Sequence, residues 1–168
     1  MSCCSAITPR SRRESEGRVD SGFLRLPARG ALETMFLEED RLLAIRPESH
    51  PLSVQERVPL AALCEESFLL LEKGAKAEIA ALFERAGLTP CVRFTTWDDY
   101  AVMSMVESGL GLSILPELIL RRIPYRLAIR PLDVPATRRI GFAVRSFDRV
   151  PLAVCRFLDY LPCRSEET

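Results

Sequence analysis

The chain has 168 residues, 48% of them hydrophobic and 27% charged, enough apolar material for a real core in one domain or two small lobes. Lysine plus arginine balances aspartate plus glutamate at 23 each, so no global field draws it toward nucleic acid, and no DNA binding by this chain alone is expected. No apolar run approaches the roughly 20 residues of a membrane helix, and the opening MSCCSAITPRSRRESEGR lacks the apolar centre of a secretory signal, so a cytoplasmic protein with no membrane attachment is expected.

Residues 1–16 are rich in serine and arginine without apolar periodicity and cannot offset the entropy of ordering, which makes them a disordered N-terminal extension. From Arg18 the character changes, and Val19, Gly22, Phe23 and Leu24 suggest a short buried strand followed by the loop Arg25–Gly30. Leu32 to Arg46 reads as one or two extended segments, with a break at Asp40. After a turn at His50-Pro51, Val58–Leu63 looks like a short connecting helix and Ser67–Leu71 like a buried strand.

In Lys76–Ala86 the apolar residues Ile79, Leu82, Phe83 and Ala86 fall at i, i+3, i+4 and i+7, an amphipathic stripe that Gly87 stops. Cys91–Thr96 alternates and returns to a sheet, and Asp98 is placed to cap a helix whose apolar face includes Val102, Met105 and Val106. Arg126–Leu132 and Ile140–Arg145 read as strands, and Val154, Phe157, Leu158 and Leu161 mark a final helix with Pro151 near its start. Strands alternating with helices imply a mostly parallel α/β structure.

The stretch MVESGLGLSILPE contains Gly109-x-Gly111, the opening of a nucleotide-binding fingerprint. A dinucleotide loop needs a strand before its glycines and a helix after them, so that the pyrophosphate meets a helix N-terminus. Here a helix precedes and a strand, Leu112–Leu115, follows, with Ile114 at the third glycine position. The pair therefore reads as a helix-to-strand corner, with Pro116 and Glu117 opening another short helix.

The six cysteines (Cys3, Cys4, Cys64, Cys91, Cys155 and Cys163) form no Cys-x-x-Cys pair, so no metal site and no cofactor is expected. Cys64, Cys91 and Cys155 sit among apolar residues and read as small hydrophobes. His50 is the lone histidine, and with no Gly-x-Ser-x-Gly elbow and no phosphate loop in the right order the chain is not expected to be an enzyme or to carry catalytic residues.

Several separated segments together, namely Arg18–Phe23, Asp40–Ile45 running into Ser49–Leu52, Phe68–Leu71, Gly87–Pro90, Val106–Pro116 and Arg138–Arg145 with a closing helix, resemble the effector-binding (substrate-binding) region of LysR-type transcriptional regulators. The resemblance covers roughly residues 17 to 164, and its most specific element is the Gly-x-Gly, apolar strand and Pro116 series. It implies an α/β fold of the type II periplasmic-binding-protein kind, with two lobes of which the first is incomplete. By that analogy residues 40–130 form lobe two, residues 17–39 and 131–164 are a remnant of lobe one, and 165–168 are a tail. The family's winged helix-turn-helix, its linker helix and most of the first half of lobe one have no counterpart here.

The resemblance implies a truncated effector-sensing domain that binds a small organic acid or aromatic metabolite in an interlobe cleft and regulates transcription through a DNA-binding domain outside this chain. It places Leu24 and Arg25, together with Thr95, Thr96 and Trp97, along the cleft: the threonines as hydrogen-bonding groups, Trp97 as an apolar wall, and Arg25 as a carboxylate partner. Asp98 and Asp99, in the first helical turn, count against a simple anion site. The family also implies a homodimer, or a mixed dimer with a full-length regulator. A solute-binding protein of a transport system shares the fold, but no export signal is visible.

Overall fold

The computed structural model describes residues 20–28, 30–72 and 76–161, with the backbone alone for Leu52, Ser53, Lys76 and Ala77. The expected N-terminal extension, the tail and Cys3, Cys4 and Cys163 lie outside the described residues. The strands are β1 (Ser21–Leu26), β2 (Glu33–Pro47), β3 (Ser67–Leu71), β4 (Cys91–Thr96), β5 (Ser113–Pro116), β6 (Leu127–Pro131) and β7 (Thr137–Val144). The helices are α1 (Lys76–Arg85), α2 (Asp99–Glu107), α3 (Glu117–Leu120) and α4 (Leu152–Leu158), with 3-10 turns at Pro51–Val54, Ala61–Cys64 and Phe147–Arg149. The chain divides into two compact units, one running to Asp40 and resuming at Arg138, the other Arg41–Thr137.

In the first unit β7 lies between β1 and β2, and β1 pairs with it antiparallel from Ser21↔Val144 to Leu26↔Arg139. Its core is Leu37, Phe142 and Val144, closed by Phe23, Val154, Leu158 and Leu161. Phe23, Phe142 and Phe157 contribute a ring cluster with centroids 5.5–6.0 Å apart, within the range where edge-on and offset contacts are favourable. The expected break at Asp40 is absent, because β2 continues through it: Asp40 is buried and accepts from Arg138 Nε at 2.8 Å and Nη2 at 2.7 Å, so charge pairing takes the place of a bend. The aspartate's partner is 98 residues away, outside any local pattern.

In the second unit β2 pairs antiparallel with β5 on one side and β6 on the other. β3 and β4 pair in parallel, and β3 reaches β5 through a parallel bridge at Phe68↔Leu112. The mostly parallel expectation is thus corrected: β3 and β4 run parallel, but β1–β7, β2–β5 and β2–β6 are antiparallel. Two apolar layers sandwich this sheet. Leu42 and Ala44 face one, with Phe68, Ile79, Leu82 and Phe83; Leu43 and Ile45 face the other, with Val102, Met103, Val106 and Leu115. The period-two alternation of a strand puts both sets on one β2 segment, and the predicted stripe of α1 is the part of it that packs. Val58, expected to open a short helix, instead bridges Leu132 and donates to Pro131 O at 2.9 Å, while Asp133 Oδ1 accepts from Leu60 N.

The glycine pair turns a corner. Gly109 (φ 76°) and Leu110 donate back to Val106 and Met105, closing α2 with a left-handed cap, and Gly111 lies against the Ser67 carbonyl so closely that a Cβ would overlap it. The two positions differ in what they need: Gly109 needs its dihedral, with open space around it, and Gly111 needs missing volume. Gly109→Ala should therefore cost about 1 kcal/mol of unfolding free energy, and Gly111→Ala about 2–3 kcal/mol by overpacking against backbone. Urea titration of both variants checks this, and equal losses would contradict the close approach at Gly111.

Candidate functional site

The sequence-predicted residues fall into two groups. Thr95, Thr96 and Trp97 are brought together at the C-terminal end of β4, where Thr96 pairs with Leu71 of β3 and its carbonyl accepts from Glu72 N at 2.8 Å. Leu24 and Arg25 lie on β1 in the first unit, opposite Gly141 and Ile140 of β7. Leu24 is only 2% exposed, so its side chain is core, while Arg25 is half-buried and engaged in contacts of its own.

The carboxyl end of β4 leads directly into the first turn of α2. Parallel strands deliver their carboxyl ends to one edge, and the connection leads into a helix N-terminus. Thr96 Oγ1 accepts from Asp98 N at 3.3 Å, and Asp98 Oδ1 accepts from Ala101 N at 2.9 Å, which holds the first turn of α2 at a fixed angle to β4. Thr95 is exposed, and Trp97 presents 64% of its surface to solvent, an unusual placement for the chain's one tryptophan. Asp98 as the cap and Asp99 in the first turn place negative charge beside it, which favours the helix dipole.

A recess that sequence reasoning missed lies at the other end of β3 and β4. It has a volume of about 210 Å³ and is lined by Pro47, His50, Glu66, Ser67, Arg93, Phe94 and the Gly109–Leu112 corner. His50 Nε2 stands 3.5 Å from Glu66 Oε1, and Arg93 lies over the Phe94 ring at 5.8 Å. The only signal in the sequence was the turn composition around His50. In the first unit, Asp20, Arg145, Ser146, Asp148 and Arg149 line a second, open recess of about 480 Å³. Among the described residues no group of three or more His, Cys, Asp or Glu side chains could hold a metal ion. Cys91 and Cys155 are exposed rather than packed as expected, Cys91 because β4 borders only β3 among the described strands, and Cys155 because it points off the buried side of α4. Cys64 is half-buried, and burial raises its thiol pKa.

The chain matches the family model described as "LysR substrate binding domain" over residues 10–164. It belongs to that family. Among curated relatives, the uncharacterized HTH-type transcriptional regulator YvbU of Bacillus subtilis is 28% identical over 143 residues, 84% of this chain and 49% of its own length. Among solved structures, the Synechocystis PCC6803 CcmR regulatory domain in complex with 2-PG is similar with a TM-score of 0.80 at 25% identity, covering 90% of this chain and 76% of that one. The BenM effector binding domain with its effector benzoate is similar with a TM-score of 0.74 at 26% identity, covering 87% and 69%. The chain spans about half the length of relatives such as YvbU. The fold is therefore the α/β fold of LysR effector-binding domains, and no described helix is long and apolar enough to cross a membrane.

The corner that carries the family's most specific motif is tied to β2 by charge. Arg41 donates to Glu117 through Nε at 2.8 Å and Nη2 at 2.9 Å, a two-pronged pair joining β2 to the start of α3. Arg41's hydrogen bonds hold the Glu117 carboxyl below its usual 4.5. A carboxylate whose folded pKa is depressed stabilises the fold above its unfolded value, and that contribution is lost as pH falls through the lowered one. The melting temperature of Glu117→Gln should therefore lie below wild type near neutrality, and the gap should close below the ordinary glutamate range. A gap that persists unchanged at about pH 2–3 would show that the pair does not contribute this way.

Proposed function

We propose that this chain is the effector-sensing part of a LysR-type transcriptional regulator, not an enzyme, working in the cytoplasm and binding a small organic acid or aromatic metabolite. The observation that carries this reading is the family match over nearly the whole described chain, joined to an edge that presents Thr95, Thr96 and Trp97 at the carboxyl end of a parallel strand. Two similar domains have 2-PG and benzoate bound, which supports a compact acid as the ligand class.

In this reading the Thr95 hydroxyl and the first-turn N–H groups of α2 hydrogen-bond the ligand, and Trp97 covers its apolar face. Arg25 pairs with a carboxylate, while Leu24, buried, keeps β1 in place. DNA binding and the transcriptional output belong to a segment outside this chain. The lone tryptophan makes the test direct. Titration with a panel of small organic acids, benzoate and 2-PG included, should shift Trp97 emission and raise the melting temperature. Thr95→Ala should weaken binding about 3–10-fold, the worth of one hydrogen bond. A folded chain that shows neither response across the panel would sink effector sensing by this chain.

A second reading, pairing with another copy or with a full-length regulator, is favoured by a specific observation. Val92 and Phe94, alternate residues on β4, are 42% and 41% exposed, and Leu110 beside them is 46% exposed. Apolar side chains on an outer strand suit association better than isolation in water. The double variant Val92→Lys, Phe94→Glu should weaken self-association at least about tenfold by sedimentation equilibrium, and an unchanged dimer constant would move the interface elsewhere.

A further inference from the structure

Arg46, near the end of β2, is 1% exposed, yet among the described residues its Nε and Nη1 find no hydrogen-bond partner. Its third nitrogen, Nη2, makes a long 3.5 Å contact with the Gln55 carbonyl, just after the 3-10 turn Pro51–Val54 that lies beside β6. A guanidinium stays charged in a protein, so burial cannot be relieved by losing the proton. An uncompensated buried charge is among the costliest arrangements a fold can hold.

The neighbourhood makes this worse. The register Ala44↔Arg130 and Arg46↔Ala128 places Arg130 of β6 diagonally across from Arg46 on the same face of the sheet, at a separation long side chains span. Arg130 is exposed and uses its Nη1 on its own strand's Ile129 carbonyl. Among the described residues no carboxylate pairs with either guanidinium. Burial and the field of Arg130 both push the Arg46 pKa down. Two cations lie on one face, and the buried one keeps two donors unused.

The geometry points to an anion site in the second unit, formed by Arg46 and Arg130 beneath the Pro51–Gln55 segment, that takes a small oxyanion: a free carboxylate, or inorganic phosphate. Planar guanidinium forks match both groups, and an oxyanion supplies the acceptors that Nε and Nη1 lack. The site is independent of the Thr95–Trp97 edge, so it stands or falls apart from effector sensing.

The test is thermal unfolding of the full chain in a zwitterionic buffer of low salt, with acetate, inorganic phosphate and chloride added in separate series compared at matched ionic strength. Acetate or phosphate should raise the melting temperature saturably and beyond chloride, by about 8 °C at 100 times the half-saturating concentration. Arg46→Met should abolish that excess. Arg130→Ala, an exposed change that leaves the fold alone, should move half-saturation up several-fold, and it carries the test if the Arg46 variant does not fold. A rise equal for all three anions is screening and overturns the site. No rise, a response that survives Arg46→Met, or a half-saturation unmoved in Arg130→Ala overturns it equally.

Discussion

The first unit hangs on one buried contact, the pairing of Asp40 with Arg138. Two strands that are far apart in the chain, β2 and β7, each leave the first unit at one of these residues, and charge complementarity in a dry environment fixes both exits. A single carboxylate bound through two nitrogens tolerates little sliding, so the register of β7 against its neighbours is set where the chain passes out of the unit. The adjacent residues show the same economy on the other side of the boundary: Leu42 donates to the Ala136 carbonyl at 2.8 Å, and Arg41 grips Glu117.

From those pins the second unit builds outward. β2 runs through its centre with apolar residues on both faces, β5 and β6 flank it, and β3 joins through the Phe68 bridge to bring β4 to the border. The Gly109–Gly111 corner makes this join possible, since only an unsubstituted Cα lets the start of β5 run against Ser67, where Leu112 and Ser113 then bond β3 from both backbone and hydroxyl. The same corner was the most specific family signature in the sequence. What carried the resemblance is thus a packing requirement of the sheet, and the placement of β4 depends on it through β3.

Local periodicity made some of this legible. Ile79, Leu82 and Phe83 pack as the 3.6-residue stripe demanded, and Asp98 caps α2 as its position before an apolar face required. What was not legible depends on partners remote in sequence. Asp40 reads as a strand breaker until Arg138 is known, Val58 reads as helical until it meets Leu132, and the alternation of β4 places it in a sheet without telling that five of its six residues are exposed. Arg46 passes unnoticed at a strand end, because burial of a charge leaves no trace in spacing. Of the residues expected at a site, the threonines and Trp97 stand together at the end of β4, while Leu24 is spent on the core; only the family resemblance suggested these positions.

The exposure of two thiols has a practical consequence. Cys91 and Cys155 are free and exposed, one in each unit, whereas Cys64 is half-buried with its thiolate disfavoured. Reaction with a maleimide proceeds through the thiolate and needs access, so the first two should react well ahead of the third. With Cys3, Cys4 and Cys163 replaced, a donor and an acceptor dye would settle one per unit. Energy transfer between them would then follow any rearrangement of the units as metabolites are added, with no further engineering.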